Sequence, residues 1–192
     1  MNPPQREQSA PAKAMTDGRD AVAVTLQAAS ALLSYPSPEG DGELDLISGA
    51  LAESPRAPGR RELERFLSWW RGLERGERER TYVETFDFGA GVSLYLTEDG
   101  PRTSRERGAA LLALRRAYRD AGADVRSAEL PDYLPLMLEA AAHVPACRRL
   151  LADHGDAVQA LRAGLGRARS PFAQVVDAVL SAVSQAQQGG TR

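Results

Sequence analysis

His143, Cys147 and His154 are the side chains whose type and spacing come nearest to a reactive site in this sequence. The first two stand four residues apart and the third seven further on, so His143 and Cys147 would share one helix face. Three such donors could make an open zinc site. A simpler reading makes Cys147 a small buried hydrophobe and puts the histidines at a helix end or on the surface. Arginine is the other candidate. Arg102, Arg105 and Arg107 precede Arg115, Arg116 and Arg119 on one predicted helix, an arrangement that could hold nucleic acid. Glu106 and Asp120 are interleaved with them, which favours a solvated face. The chain has 24 basic and 26 acidic residues, a formal charge of −2. Polyanion binders carry a basic excess, so no nucleic-acid partner is expected. Hydrolysis through a nucleophilic serine lacks its Gly-x-Ser-x-Gly elbow. Gly164-Leu165-Gly166 has no third glycine at the right place and no strand before it, and no phosphate loop of the Gly-x4-Gly-Lys type occurs.

The elements that would position these residues are helices. Val22, Leu26, Ala29 and Leu33 recur at helical spacing until Tyr35-Pro36-Ser37-Pro38. Leu44, Ile47 and Leu51 mark a second helix, stopped near Pro55 and Pro58. Leu63, Phe66, Leu67 and Trp70 mark a third, and Tyr82, Val83 and Phe86 a fourth that ends near Gly89 to Gly91. After a loop through Asp99-Gly100-Pro101, Thr103 and Glu106 form a capping box. Leu111, Leu114 and Tyr118 then share a face up to a left-handed stop at Gly122. Pro131 suits the first turn of the next helix, which runs past Glu139 to Pro145. Ala146 to His154, then Val158, Leu161 and Leu165, continue the pattern. Ser170-Pro171 opens a last helix carrying Phe172, Val175, Val176, Val179, Leu180 and Val183. No strand pattern persists. The expectation is an all-α fold, a single globular multi-helix domain of eight to ten helices.

A chain of 192 residues buries roughly 70% of its unfolded surface, enough for a core without staples. One cysteine excludes a disulfide framework. No apolar run follows the polar N-terminal residues, and none approaches the roughly 20 residues of a membrane span. A cytoplasmic protein without direct membrane insertion is expected. Residues 1–17 and 187–192 read as disordered tails around a helical domain over 18–186.

Three segments are more specific than a helix count. They are Tyr82-Val-Glu84-Thr-Phe86-Asp87-Phe88 with Ser93-Leu-Tyr95-Leu-Thr97, then Arg107-Gly108-Ala-Ala-Leu111-Leu112, then Glu129-Leu-Pro131-Asp132-Tyr133-Leu-Pro135-Leu-Met-Leu-Glu139. With Leu32-Leu33-Ser34-Tyr35-Pro36, their order resembles the NarJ family of nitrate reductase molybdenum cofactor assembly chaperones. That family is related to the chaperones of dimethyl sulfoxide and trimethylamine oxide reductases. The resemblance runs from about Val22 to about Val183. Gly89-Ala90-Gly91-Val92 replaces the basic residues that members often carry after Phe-Asp, and the link from Leu96 to Thr103 is short.

The resemblance implies an all-helical binding protein rather than an enzyme. Its partner would be the catalytic (alpha) subunit of respiratory nitrate reductase, recognised through its N-terminal peptide in the cytoplasm. No cofactor would be bound stably, because the molybdenum cofactor is inserted into the client before membrane attachment. A different molybdoenzyme of the same class is the alternative client. The chaperone would be a monomer or a helix-exchanged dimer.

A basic, amphipathic client needs an apolar groove rimmed by carboxylates. In relatives the position of Asp132 is tied to signal-peptide binding, and the role is carried to Asp132 with Tyr133 beside it. Asp132 and Glu139 are seven apart, which on a helix sets them near one face. Glu84 and Asp87 are further candidates. Structural readings stand beside these. Asp132 in a first helical turn would favour the helix dipole. Glu139 would form a buried or helix–helix ion pair, and Glu84 and Asp87 would anchor Arg105 or Arg107. Tyr82 and Phe86 read as core. Trp69 and Trp70 are adjacent and cannot both face the core, so Trp69 is the candidate for a groove.

Overall fold

The computed structural model of the chain describes residues 20–37, 40–89, 92–98, 103–125 and 127–189. Among these are nine α-helices. They are α1 (Ala21–Leu33), α2 (Gly40–Glu53), α3 (Arg60–Arg71), α4 (Arg75–Phe86), α5 (Ser104–Asp120), α6 (Leu134–His143), α7 (Arg148–Asp153), α8 (Gly155–Arg167) and α9 (Phe172–Gly189). A short 3-10 turn, Pro145–Cys147, joins α6 to α7. The all-α expectation holds. The expected tail over 1–17, the loop at 99–102 and Arg102 fall outside the described residues. The last helix continues through residues 187–189.

α1 is the axis of the fold. It is apolar or small nearly all round, which is the pattern of a helix enclosed on every side. Val22, Val24, Leu26, Ala28, Ala29, Leu32 and Leu33 are all buried, and α6 and α9 pack against it. α1 and α6 pack together and both bury small residues, Ala28, Ala29 and Ser30 on one and Ala140 and Ala141 on the other, and small residues let two backbones come close. The two polar residues on α1 that are buried in this packing have partners, as buried hydroxyls require. Thr25 Oγ1 donates to the Pro58 carbonyl at 2.7 Å and Ser30 Oγ to the Pro135 carbonyl at 2.7 Å. Asp20 caps the helix by accepting from Ala23 N, and the same carboxylate takes both 2.6 Å contacts from Arg148 Nη2, tying the start of α1 to α7.

α9 is the second apolar element. Phe172, Val175, Val176, Ala178, Val179 and Ala182 are fully enclosed, and α3 and α8 lie along it. The capping box at Thr103–Glu106 and the left-handed Gly122 after α5 form as the sequence predicts.

Two starts differ from expectation. α4 begins at Arg75, a full two turns before its apolar residues, because Glu74 and Glu77 close a reciprocal capping box. α6 begins at Leu134 rather than at Pro131, and the proline in its first turn is Pro135. The backbone before Leu134 is not helical because it is bonded elsewhere: Leu96 N donates to the Asp132 carbonyl at 3.0 Å and Leu134 N to the Leu94 carbonyl at 2.7 Å. These two bonds make an antiparallel bridge between Tyr95 and Tyr133, the only strand-like pairing among the described residues. No helix of the described residues is long and apolar enough to cross a membrane.

Candidate functional site

The bridge sets the start of α6 beneath a segment, residues 92–98, that lies across it. Asp132 is at the centre. It is 0% exposed, and its Oδ2 accepts from Thr97 N at 3.1 Å and Thr97 Oγ1 at 2.6 Å. Its Oδ1 has no hydrogen-bond partner among the described residues. Asp132 is therefore neither in a helical first turn nor at the surface. Asp132 lies in the turn that Tyr133 N closes on the Leu130 carbonyl, outside α6, so helical spacing does not reach back to it from Glu139 and the two carboxylates do not share a helix face.

Tyr133, the next residue, turns outward and belongs to a tyrosine chain. Tyr95 packs on it with ring centroids 5.2 Å apart, and its hydroxyl lies 3.3 Å from that of Tyr82. Tyr82 in turn donates to the Leu33 carbonyl at the end of α1 at 3.0 Å. Tyr95 donates to Glu129 Oε2 at 2.9 Å, and Tyr118 to the Pro131 carbonyl at 2.9 Å. These bonds hold the helix ends and the bridge in one register.

Burial raises the phenol pKa of each of these four tyrosines, because the tyrosinate would be desolvated. Tyr95 is pushed up to about 12, helped by the Glu129 charge it bonds. A folded-state pKa above the unfolded value of about 10 favours the neutral form. The stabilisation is complete below that pH and is lost as pH rises through the folded values. Unfolding stability should fall steadily from about pH 10 upward, with tyrosinate absorbance appearing together with loss of helix. Four phenols that ionise near pH 10 with the helices intact would contradict this burial.

Two further aromatic side chains near the tyrosine chain are exposed. Tyr35 is 54% exposed and meets the Tyr82 ring edge-on at 5.5 Å; Phe88, after α4, is 79% exposed. Tyr95, Tyr133 and Phe86 are half-buried. The exposed carboxylates of Asp87 and Glu129 both act on the Tyr133 ring. Single exposed apolar residues mean little, whereas a contiguous aromatic cluster rimmed by polar residues is the kind of surface that interaction sites use. Of the predicted residues, Tyr133 follows Asp132 directly, the Asp87 charge acts on Tyr133, and Glu84 is exposed in the last turn of α4, just before Asp87. Tyr35, Phe88, Tyr95 and Glu129 complete the set; their types are visible in the sequence motifs, but their exposure is set by packing.

Other expectations change. Glu84 and Asp87 do not anchor Arg105 or Arg107; Arg107 instead lies 3.9 Å from Glu98. Glu139 forms no ion pair among the described residues. It lies on the solvent side of α6, four residues before His143, while Met137, Leu138, Ala140 and Ala141 take the core. Trp69 is half-buried rather than open to a groove. Its ring contacts Phe66 and Phe172, and Trp70 contacts the same two, so both indoles join one aromatic cluster. Phe172 supplies the room, because its ring lies against both adjacent indoles. Tyr82 is core, and Phe86 packs on Phe172 at 4.9 Å.

Cys147 is buried, His143 Nδ1 faces the Glu139 carbonyl, and His154 Nδ1 faces the Leu150 carbonyl. Among the described residues no group of three His, Cys, Asp or Glu could hold a metal ion. Arg115 and Arg119 line a cavity of about 570 Å³ with Tyr118, Pro131, Leu136 and Glu129, which borders the aromatic surface through Glu129.

The sequence model of the nitrate reductase delta subunit family matches residues 53–177. The chain is 35% identical over 162 residues to a probable nitrate reductase molybdenum cofactor assembly chaperone, NarJ, of Bacillus subtilis, covering 83% of this chain and 88% of that protein. It is 31% identical over 167 residues to the nitrate reductase molybdenum cofactor assembly chaperone NarJ of Escherichia coli, covering 85% of this chain and 71% of that one. A nitrate reductase-like protein, NarX, of Mycobacterium tuberculosis is 35% identical over 158 residues; the match spans 81% of this chain and 24% of that larger protein.

Proposed function

The chain belongs to the nitrate reductase delta subunit family, and we propose that it is a binding protein that holds the catalytic subunit of a nitrate reductase while the molybdenum cofactor is installed. Relatives named as assembly chaperones support this over most of their length. The client is met in the cytoplasm, before it reaches the membrane, and the chain holds no cofactor of its own and turns nothing over.

The observation that carries the reading is the aromatic surface of Tyr35, Phe88, Tyr95 and Tyr133 between Asp87 and Glu129. Exposed and half-exposed aromatic rings suit the apolar side of a client segment, and the two carboxylates suit its basic side chains. Charge of this kind contributes specificity and association rate more than raw affinity. The segment that fits is basic and amphipathic, and the N-terminal segment of the catalytic subunit is assigned to it. Tyr133, Asp87 and Glu84 face the client, and Asp132 holds Tyr133 in place from below. Trp69 and Glu139 are given no part in this surface.

Calorimetric titration with a peptide from the N-terminus of the catalytic subunit of the same organism tests this. Saturable binding is expected, weakening as salt is raised. The double replacement Asp87→Lys, Glu129→Lys should lower affinity by roughly tenfold or more, since like charges then face each other across the contact. Unchanged affinity would move the client surface elsewhere on the protein. No binding by the unaltered chain would remove the N-terminal segment as the recognised element.

A further inference from the structure

α5 turns Leu114 and Tyr118 inward and carries an exposed stripe on its opposite side: Arg105, Ala109, Leu112, Arg116 and Arg119. Leu112, at the middle of the stripe, is 59% exposed. Its three arginines have no ion-pair partner among the described residues, whereas Arg60, Arg65, Arg71, Arg75 and Arg162 each bond an acid. Unpaired guanidiniums around an exposed leucine suit a counterpart that is acidic and partly apolar.

This chain presents such a counterpart itself. Phe88 and Tyr35 are exposed, Tyr95 and Tyr133 half-buried, and the exposed carboxylates of Asp87 and Glu129 stand beside them. The two surfaces are neighbours, because Glu129, which Tyr95 bonds, lines one cavity together with Arg119. Within one chain they do not meet, since Tyr118 turns the other side of α5 towards the Pro131 carbonyl.

We propose that a second copy of this chain docks here, with α5 of each copy lying on the aromatic surface of the other. Neighbouring patches of opposite sign are matched to their own copies by a two-fold rotation. Leu112 then packs among the aromatic rings, and the arginines of the stripe meet Asp87 and Glu129. Every helix stays in its own chain, which separates this dimer from one made by helix exchange. The dimer covers the surface assigned to the client, so it is a closed form that the client must open. That last step rests on the chaperone reading above.

Sedimentation equilibrium tests the interface without any client. A reversible dimer is expected, weakened by roughly tenfold or more between about 0.05 and about 0.5 M salt. Arg105→Glu with Arg116→Glu, and separately Asp87→Lys with Glu129→Lys, should each give a monomer at concentrations where the unaltered chain is dimeric. Mixing the two variants should restore a dimer of one copy of each, because both contacts are then complementary. Asp87→Lys alone, a cation at a helix C-terminus, takes the second role should the double variant fold poorly. An unaltered chain that stays monomeric, a mixture of folded variants that stays monomeric, or a dimer indifferent to salt and to both reversals would overturn the proposal.

Titration with the N-terminal peptide of the catalytic subunit separates this from the client reading. Peptide should dissociate the dimer. Its apparent affinity for the unaltered chain should fall roughly threefold for each tenfold rise in protein concentration, and stay constant for the Arg105→Glu, Arg116→Glu variant. Peptide that binds the intact dimer overturns the docking of α5 on the client surface and leaves the client reading standing. A mixed-variant dimer that forms as described, with no peptide bound by any form, overturns the client assignment and leaves the dimer.

Discussion

Replacing Gly59 with alanine should lower the stability of this protein by about 3–5 kcal/mol, the sum expected from backbone strain and an overpacked contact. Gly59 precedes α3 with φ of 68°, in the left-handed region where any side chain meets its own carbonyl. Space is the larger problem. A Cβ at this position would stand 2.3 Å from Ala178 Cα and 2.5 Å from Ala178 Cβ. Neither atom can move aside as the end of a flexible side chain would. Ala178 is fully buried on α9, and α9 is packed against α1, α3 and α8 together. Relief therefore means separating α3 from α9. For a chain of this size each kcal/mol shifts the thermal midpoint by about 2–4 °C, so a fall of about 10 °C is expected in thermal unfolding followed by circular dichroism. A midpoint within about 2 °C of the unaltered protein would show that α3 approaches α9 less closely than described.

Gly59 also illustrates which parts of the fold a local reading reaches. The stripes Leu63-Phe66-Leu67-Trp70 and Val175-Val176-Val179 announce α3 and α9, because each buries one continuous face. That the two helices touch through a glycine backbone is a fact about their packing, and no local pattern carries it. The start of α4 was within reach, since Glu74 and Glu77 stand at capping-box spacing, but its first two turns offer no apolar stripe to prompt the search. Asp132 is the instructive case for the site. A proline followed by an acid is what a helix start looks like. The partner that decides otherwise is Thr97, 35 residues earlier, which offers both its N–H and its hydroxyl to that carboxylate. The order of residues in the motif suggests a helical first turn, and the structure has a non-helical turn bonded to residues 92–98 instead. Adjacency and the apolar stripe through Trp70 set Trp69 as the more exposed indole, which it is, and a third ring, brought from α9, still gives both indoles a contact.

That third ring supports the second large expected effect. Phe172 opens α9 and is fully buried, with ring centroids 5.0 Å from Phe66, 5.3 Å from Trp70 and 4.9 Å from Phe86. Trp69 and Tyr82 lie slightly further away, at 6.4 and 6.2 Å. Phe172→Ala should cost about 3–5 kcal/mol, because the deleted ring leaves a cavity that five surrounding aromatic residues cannot close without leaving their own positions. Phe172→Leu fills most of that volume and should recover more than half of the loss. The consequence for function follows from what Phe172 supports. Phe86 and Tyr82 lean on it, Tyr82 orients Tyr133 through the paired hydroxyls, and Tyr133 is the inner wall of the aromatic surface. Peptide affinity should therefore fall with stability in Phe172→Ala, measured by titration well below its lowered thermal midpoint, and return in Phe172→Leu. A variant that is destabilised but binds the peptide as before would separate the core cluster from the binding surface, and would mean that the bridge to residues 92–98 holds Tyr133 in position by itself.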